Sequence, residues 1–114
     1  MKNILITGGA GGIGLEIVHY FENKNYNIII LDKTSKKNFK KNYTKIKKNI
    51  FYFEVDLLEI KKTEKKIQEI ISKFKKIDIL INCAGIQYIS TIENFPTNEW
   101  KKVIDINLTS SFIT

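Results

Sequence analysis

Apolar residues in this chain fall into short continuous runs, separated by stretches where they recur every three or four positions. Lys2 to Thr7 is apolar through Ile4-Leu5-Ile6 and stops at glycines, the pattern of a buried strand. Ile13, Ile17, Val18 and Phe21 then repeat at helical spacing, which predicts a helix from about Gly14 to Asn23. Tyr26 to Leu31 is a β-branched run closed by Asp32, and Ile50 to Val55 is a third run closed by Asp56. Ile60, Ile67, Ile70, Ile71 and Phe74 mark one face of an amphipathic helix. Ile77 to Ile81 predicts a fourth strand, followed by Asn82-Cys83-Ala84-Gly85. After a loop to Pro96, Thr97 is placed as the N-cap of a further helix. Its apolar side carries Trp100, Val103, Ile104, Leu108, Ser111 and Phe112.

Continuously apolar strands that alternate with helices imply an α/β fold, a parallel sheet covered on both faces. Right-handed crossovers make that sheet doubly wound. No repeat or internal boundary divides residues 1–114, which read as one unit of about four strands. The pattern stops inside the last helix, so the outer edge of the Ile77–Ile81 strand is expected to be open and prone to aggregation.

Composition and charge narrow the classes further. With 114 residues, 43% hydrophobic and 27% charged, the chain is long enough for a core and reads as an ordinary globular protein. No apolar run approaches the roughly 18–20 residues of a membrane span, and Met1-Lys2 leads straight into a strand, so neither a membrane partner nor a signal peptide is expected. One cysteine rules out an internal disulfide framework or a multi-cysteine zinc site and fits a cytoplasmic location, with no metal expected. The net charge of +7 comes entirely from lysine, with no arginine for bidentate phosphate or guanine contacts. The excess of Lys, Ile and Asn matches codons rich in A and T, so no nucleic-acid partner is assigned. Lys33 to Lys48, with Phe39 and Tyr43 between its lysines, is expected as a solvated loop or short helix. His19 is placed at the surface, Cys83 is expected to be buried and inert, and Trp100 to lie in the core or an interface.

Candidate chemistry concentrates in Thr7-Gly8-Gly9-Ala10-Gly11-Gly12-Ile13-Gly14, between a strand and a helix. Glycines there permit tight turns and let a pyrophosphate approach the backbone, while the helix N-terminus supplies free amides and a positive dipole end. Gly9, Gly11 and Gly14 satisfy Gly-x-Gly-x-x-Gly, while Gly8, Gly12 and Gly14 satisfy Thr-Gly-x-x-x-Gly-x-Gly equally well. Asp32, at the end of the second strand, can accept hydrogen bonds from both adenosine ribose hydroxyls and would repel a 2′-phosphate. It favours NAD over NADP, although neighbouring Lys33 could attract that phosphate. Asp56 ends the third strand similarly and could read the adenine amino group.

Taken in order, these residues resemble the short-chain dehydrogenase/reductase family along the whole chain. Thr7 to Gly14 looks like the family's Thr-Gly-x-x-x-Gly-Ile-Gly coenzyme loop, which selects the reading with Gly8, Gly12, Ile13 and Gly14. Asp32 matches the acidic position of NAD-preferring members, and Val55-Asp56-Leu57 the adenine-contacting segment. Asn82-Cys83-Ala84-Gly85 is similar to Asn-Asn-Ala-Gly, with Cys83 in place of the second asparagine, at a position that acts largely through its backbone. Asp105-Ile106-Asn107-Leu108 matches the helix carrying the family's catalytic asparagine. The resemblance implies the N-terminal half of a Rossmann-type domain, hydride transfer between a nicotinamide and an alcohol or ketone, and a homo-oligomer for a full-length form.

Asn107 lies on the predicted apolar side of its helix, where a buried amide without partners would cost roughly 1–3 kcal/mol. A polar partner is therefore expected there, either nearby backbone or, as the resemblance implies, a water on the path to a catalytic lysine. The family's Ser and Tyr-x-x-x-Lys belong to a fifth strand and the helix after it, and none of the three is placed here. Tyr26, Tyr52 and Tyr88 lack a lysine four residues on, and Tyr20 and Tyr43, which precede Lys24 and Lys47 at that spacing, fall ahead of the fourth strand. The segment from Ala84 to Trp100 looks like that of 3-hydroxybutyrate dehydrogenases, in which the glutamine matching Gln87 helps bind the substrate carboxylate. A 3-oxoacyl-carrier-protein reductase is the other candidate within the family, and Gln87 also reads as a solvated loop residue. Outside the family's chemistry stands an inactive half-Rossmann module that holds only the adenosine part of NAD.

Overall fold

Four parallel strands form the centre of the computed structural model, which describes residues 1–114. They are β1 (Lys2–Thr7), β2 (Tyr26–Asp32), β3 (Ile50–Glu54) and β4 (Ile79–Asn82), in the order β3-β2-β1-β4. β1 pairs with β2 from Lys2↔Tyr26 to Thr7↔Leu31 and with β4 from Ile4↔Ile79 to Thr7↔Asn82. The side chains of Ile4, Ile6 and Ile28 to Leu31 are wholly buried, which explains why these runs are continuous and not alternating.

Neighbouring residues of each strand face opposite layers. Ile4, Ile6, Ile28 and Ile30 meet Val18 of α1 (Gly12–Phe21) and Phe39 of α2 (Lys36–Asn42) on one face. Leu5, Ile29, Leu31 and Phe53 meet Ile70 of α3 (Ile60–Phe74) and Ile106 on the other. Beyond β4 the chain runs through a short 3₁₀ turn at Ile92–Asn94 into α4 (Thr97–Ile104), a π turn (Asp105–Thr109) and α5 (Ser110–Ile113). The sheet is thus doubly wound, and its order reverses between β1 and β4. At the base, buried Asn3 fastens the end of α3: its amide nitrogen donates to the Lys76 carbonyl at 2.7 Å and its backbone N–H to Asp78 Oδ2 at 2.9 Å.

The structure corrects several expectations. α1 begins at Gly12, two residues early, and Ile77 precedes β4, which runs on to Asn82. Pro96, not Thr97, occupies the N-cap of α4, and no side chain caps that end. Phe39 and Tyr43 are buried, 1% and 5% exposed, so the lysine-rich segment carries part of the core. Cys83 is only partly buried. Trp100, Leu108 and Phe112 are exposed, at 59%, 66% and 88%, and Asn107 is exposed with them. Trp100, Leu108 and Phe112 share one stripe at multiples of four residues, and the side that packs inward is instead the one carrying Ile106 and Ser110, 8% and 5% exposed. A π turn interrupts the helix there, with Ser110 N–H bonded to the Asp105 carbonyl five residues back.

Candidate functional site

The C-terminal ends of all four strands open onto one cleft of about 420 Å³ at the β1/β4 switch point, where open α/β sheets place their ligands. Its floor is the turn from β1 into α1. Gly8 there adopts φ +69° and continues the sheet, its N–H donating to the Leu31 carbonyl at 2.9 Å. A Cβ on Gly14 would lie 2.0 Å from the Gly8 carbonyl oxygen, so only glycine lets the helix start this close to the strand. No side chain caps α1, and helix geometry leaves the first amides, at Gly12, Ile13 and Gly14, without acceptors of their own. They form a donor set for an anion at the positive end of the helix dipole.

Asp32 stands at the rim, where its carboxylate is held from two sides. Oδ2 accepts from Ala10 N–H at 3.1 Å and Oδ1 from Thr34 N–H at 2.9 Å. Each oxygen keeps a further lone pair for a ligand hydroxyl. Asp56 Oδ1 accepts from Leu58 N–H at 3.0 Å, which fixes the turn after β3. The opposite wall is Cys83-Ala84-Gly85-Ile86, with Val55, Leu57 and Ile106 completing an apolar lining. Thr7 holds that wall: its hydroxyl oxygen accepts from the backbone N–H groups of Cys83 and Ala84, at 3.1 and 3.2 Å.

Gly8, Gly12, Ile13, Gly14, Asp32, Asp56, Leu57, Cys83, Ala84 and Gly85 therefore meet around one cleft. Asn82, Gln87 and Asn107 do not line it. Asn82 Oδ1 accepts from the Thr114 hydroxyl at 2.8 Å, and Gln87 is exposed on the following loop. Asn107 clamps the backbone of Ile86, accepting its N–H at 2.9 Å and donating to its carbonyl at 2.8 Å. Its amide thus finds partners in nearby backbone, although it is not buried as the helical phase implied. Thr34 is a contributor that the sequence pattern did not single out, and Thr7, which heads the glycine motif, gains a role at the opposite wall that the motif does not announce. A threonine closing a strand carries no signal of two amides arriving from a distant loop.

A nicotinamide dinucleotide suits this lining on structural grounds. A Cβ at Gly11 or Gly12, both of which line the cleft, would meet no protein atom within 4 Å, and Gly12 takes a φ of +53° that favours glycine. Free amides, an adjacent carboxylate and an apolar slot match a pyrophosphate, a ribose and a flat ring respectively. No group of three or more His, Cys, Asp or Glu side chains is placed to hold a metal ion. No helix is long and apolar enough to cross a membrane.

Comparison with known proteins agrees with this geometry. The chain is 35% identical over 115 residues to the D-beta-hydroxybutyrate dehydrogenase of Cupriavidus necator, covering 99% of this chain and 45% of that protein. It is 38% identical over 111 residues to a 3-oxoacyl-[acyl-carrier-protein] reductase of Buchnera aphidicola, covering 97% and 45%. Among solved structures, 4-hydroxyisoleucine dehydrogenase complexed with NADH superposes with a TM-score of 0.83 at 29% identity, over 99% of this chain and 46% of that one. ElxO with NADP bound superposes with a TM-score of 0.86 at 27% identity, over 98% and 46%. The chain spans less than half the length of the curated relatives it matches. Residues 2–114 match the short chain dehydrogenase family, and with its Rossmann-type sheet and glycine turn the chain belongs to that family of oxidoreductases.

Proposed function

We propose that residues 1–114 form the coenzyme-binding part of an NAD-dependent oxidoreductase acting on a small alcohol or ketone. The observation that carries this reading is the glycine turn beneath the free amides of α1, with Asp32 held by Ala10 and Thr34 at its rim. Bound NAD supplies the hydride acceptor of the reaction. The chain's own residues do the binding. Gly12, Ile13 and Gly14 donate to the pyrophosphate, Asp32 accepts from the adenosine ribose, and Asp56 and Leu57 border the adenine. Cys83 to Gly85 close the slot through their backbone. Asp32 opposes a 2′-phosphate by charge repulsion, so NADP binds less well.

Asn107 is assigned to the catalytic apparatus through its hold on Ile86, which shapes the cleft wall. Gln87, one residue further, is assigned to a substrate carboxylate or thioester oxygen. The names of the relatives favour 3-hydroxybutyrate with acetoacetate, or a 3-oxoacyl thioester, as substrate. The exposed Trp100, Leu108 and Phe112 support a homo-oligomer for a full-length form, and the lone free cysteine fits a cytoplasmic setting for it.

A second reading is favoured by one observation: no tyrosine lines the cleft. Tyr43 and Tyr52 donate their hydroxyls to Glu22 and to the Thr34 carbonyl, and burial raises both phenols above their ordinary range. Neither can serve as a proton-transfer base at neutral pH, so residues 1–114 taken alone would be a module that binds the coenzyme without turning it over.

Calorimetric titration with NAD and NADP tests the main reading. Saturable NAD binding, tighter than NADP and weakened in Asp32→Ala, is expected. Uptake of neither dinucleotide would overturn it.

A further inference from the structure

The discriminating rim of the cleft is built from Asp32, Lys33 and Thr34. Asp32 is held from within the cleft, by Ala10 N–H on Oδ2 at 3.1 Å and Val55 N–H on its carbonyl at 2.9 Å, while the stretch from Thr34 to Lys36 is held from outside it. The Thr34 carbonyl accepts from the Tyr52 hydroxyl at 2.6 Å. Two residues on, Lys36 N–H donates to Glu54 Oε1 at 3.0 Å. Both anchors belong to β3, and neither residue lines the cleft. The Tyr52 ring is itself locked, stacked on buried Phe39 with centroids 4.2 Å apart and planes 12° apart. Burial first, and then the nearby charges of Asp32 and Glu54, push its phenol up, so the hydroxyl stays a donor across the physiological range.

We infer that Tyr52 and Glu54 are positioning residues that set the preference for NAD over NADP by pinning the Asp32–Lys36 segment. The inference rests on the coenzyme reading above and extends it to residues that touch no coenzyme. The route is short. Tyr52 holds the Thr34 carbonyl, and this keeps the Thr34 N–H on Asp32 Oδ1, 2.9 Å away. With that donor in place, the carboxylate faces the ribose and the Lys33 ammonium stays off the 2′ position. Released, the segment lets Asp32 turn aside and lets Lys33 approach, which costs NAD and favours a 2′-phosphate.

The test is calorimetric titration of the chain with NAD and with NADP for wild type, Tyr52→Phe, Glu54→Ala and Glu54→Gln, with folding checked by circular dichroism. Tyr52→Phe keeps the stacked ring and removes only the donor. We expect the ratio of NAD to NADP affinity to fall about twofold to tenfold in Tyr52→Phe and in Glu54→Ala, and to stay near wild type in Glu54→Gln, which retains the acceptor. A purely structural role would weaken both dinucleotides equally and leave the ratio unmoved. A folded Tyr52→Phe or Glu54→Ala that keeps the wild-type ratio overturns the assignment of that residue while the coenzyme reading stands. The same fall in Glu54→Gln as in Glu54→Ala would assign the effect to charge and overturn the positioning role of Glu54. Should Tyr52→Phe fail to fold, Glu54→Ala decides alone for the pinned segment. A wild-type chain that binds neither dinucleotide, or prefers NADP, overturns both readings together.

Discussion

The carbonyl oxygen of Gly8 lies 2.0 Å from the point a Cβ on residue 14 would occupy. The first turn of α1 is therefore seated directly on the end of β1. Gly14→Ala must push the two apart, an overpacking cost of about 1–3 kcal/mol or more, and the urea midpoint should fall accordingly. Gly11 gives the opposite expectation. Its φ of −164° is open to any residue, and nothing stands within 4 Å of its Cβ position. Gly11→Val should unfold nearly like wild type yet lose about tenfold or more in NAD affinity, because it adds a branched side chain to the cleft lining. Equal unfolding midpoints for Gly14→Ala and Gly11→Val would sink this account of the turn.

Thr7 separates packing from hydrogen bonding at the opposite wall. Its side chain is only 2% exposed and serves two amides, those of Cys83 and Ala84. Thr7→Val keeps the shape and removes the acceptor, leaving two N–H groups unpaired at a cost of about 1–3 kcal/mol. Thr7→Ser keeps the acceptor and should lose less. Urea unfolding with an unchanged slope is the measurement, since only the midpoint should move. A midpoint in Thr7→Val equal to that of wild type would show that those amides find another acceptor.

What was readable in the sequence follows from what each residue has to satisfy alone. β1 and β2 announce themselves because they are buried on both faces, and the turn announces itself because Gly8 and Gly14 each answer a local backbone demand. Phe39 and Tyr43 sit four residues apart, a helical spacing, but the surrounding lysines hide how deeply they are buried. Leu108 and Phe112 form the more apolar stripe of their helix, yet the sheet packs against the stripe of Ile106 and Ser110, a choice that only the tertiary contacts make. Thr7, Thr34 and Tyr52 gain their roles from partners that meet only when the strands align. No local pattern records such a meeting.

Asn107 makes a narrower claim about local order. Its side chain holds both polar groups of the Ile86 peptide unit, at 2.9 and 2.8 Å, from an exposed position. Asn107→Ala should therefore leave global stability within about 1 kcal/mol while freeing the segment from Ile86 to Gln87. Amide hydrogen exchange at Ile86 should quicken without a matching change in the strands. Unaltered exchange at Ile86 would mean that the loop holds its shape without the clamp.

Acid stability should turn on two carboxyls at opposite places in the fold. Glu22 is held below the ordinary carboxylate range first by the hydrogen bond from Tyr43, helped by Lys47 and His19. Asp78 is held down first by Lys76, 2.7 Å away, and then by the backbone N–H of Asn3. A depressed folded-state pKa stabilises the fold above the unfolded value, near about pH 4, and that contribution is lost as pH falls through the folded value. Tyr43 has the opposite sign. Burial, then its bond to Glu22, raises its phenol, so its contribution is complete below about pH 10 and is lost as pH rises beyond it. Tyr43→Phe removes the main cause of the Glu22 shift and the titrating phenol together. Urea midpoints followed from about pH 2 to pH 11 should fall at both ends for wild type and less steeply at both ends for Tyr43→Phe. The remaining acid slope of the variant belongs to Asp78, and Lys76→Met should reduce that part in turn. Curves for wild type and Tyr43→Phe that run parallel at low pH would show that the Glu22–Tyr43 bond does not couple folding to protonation.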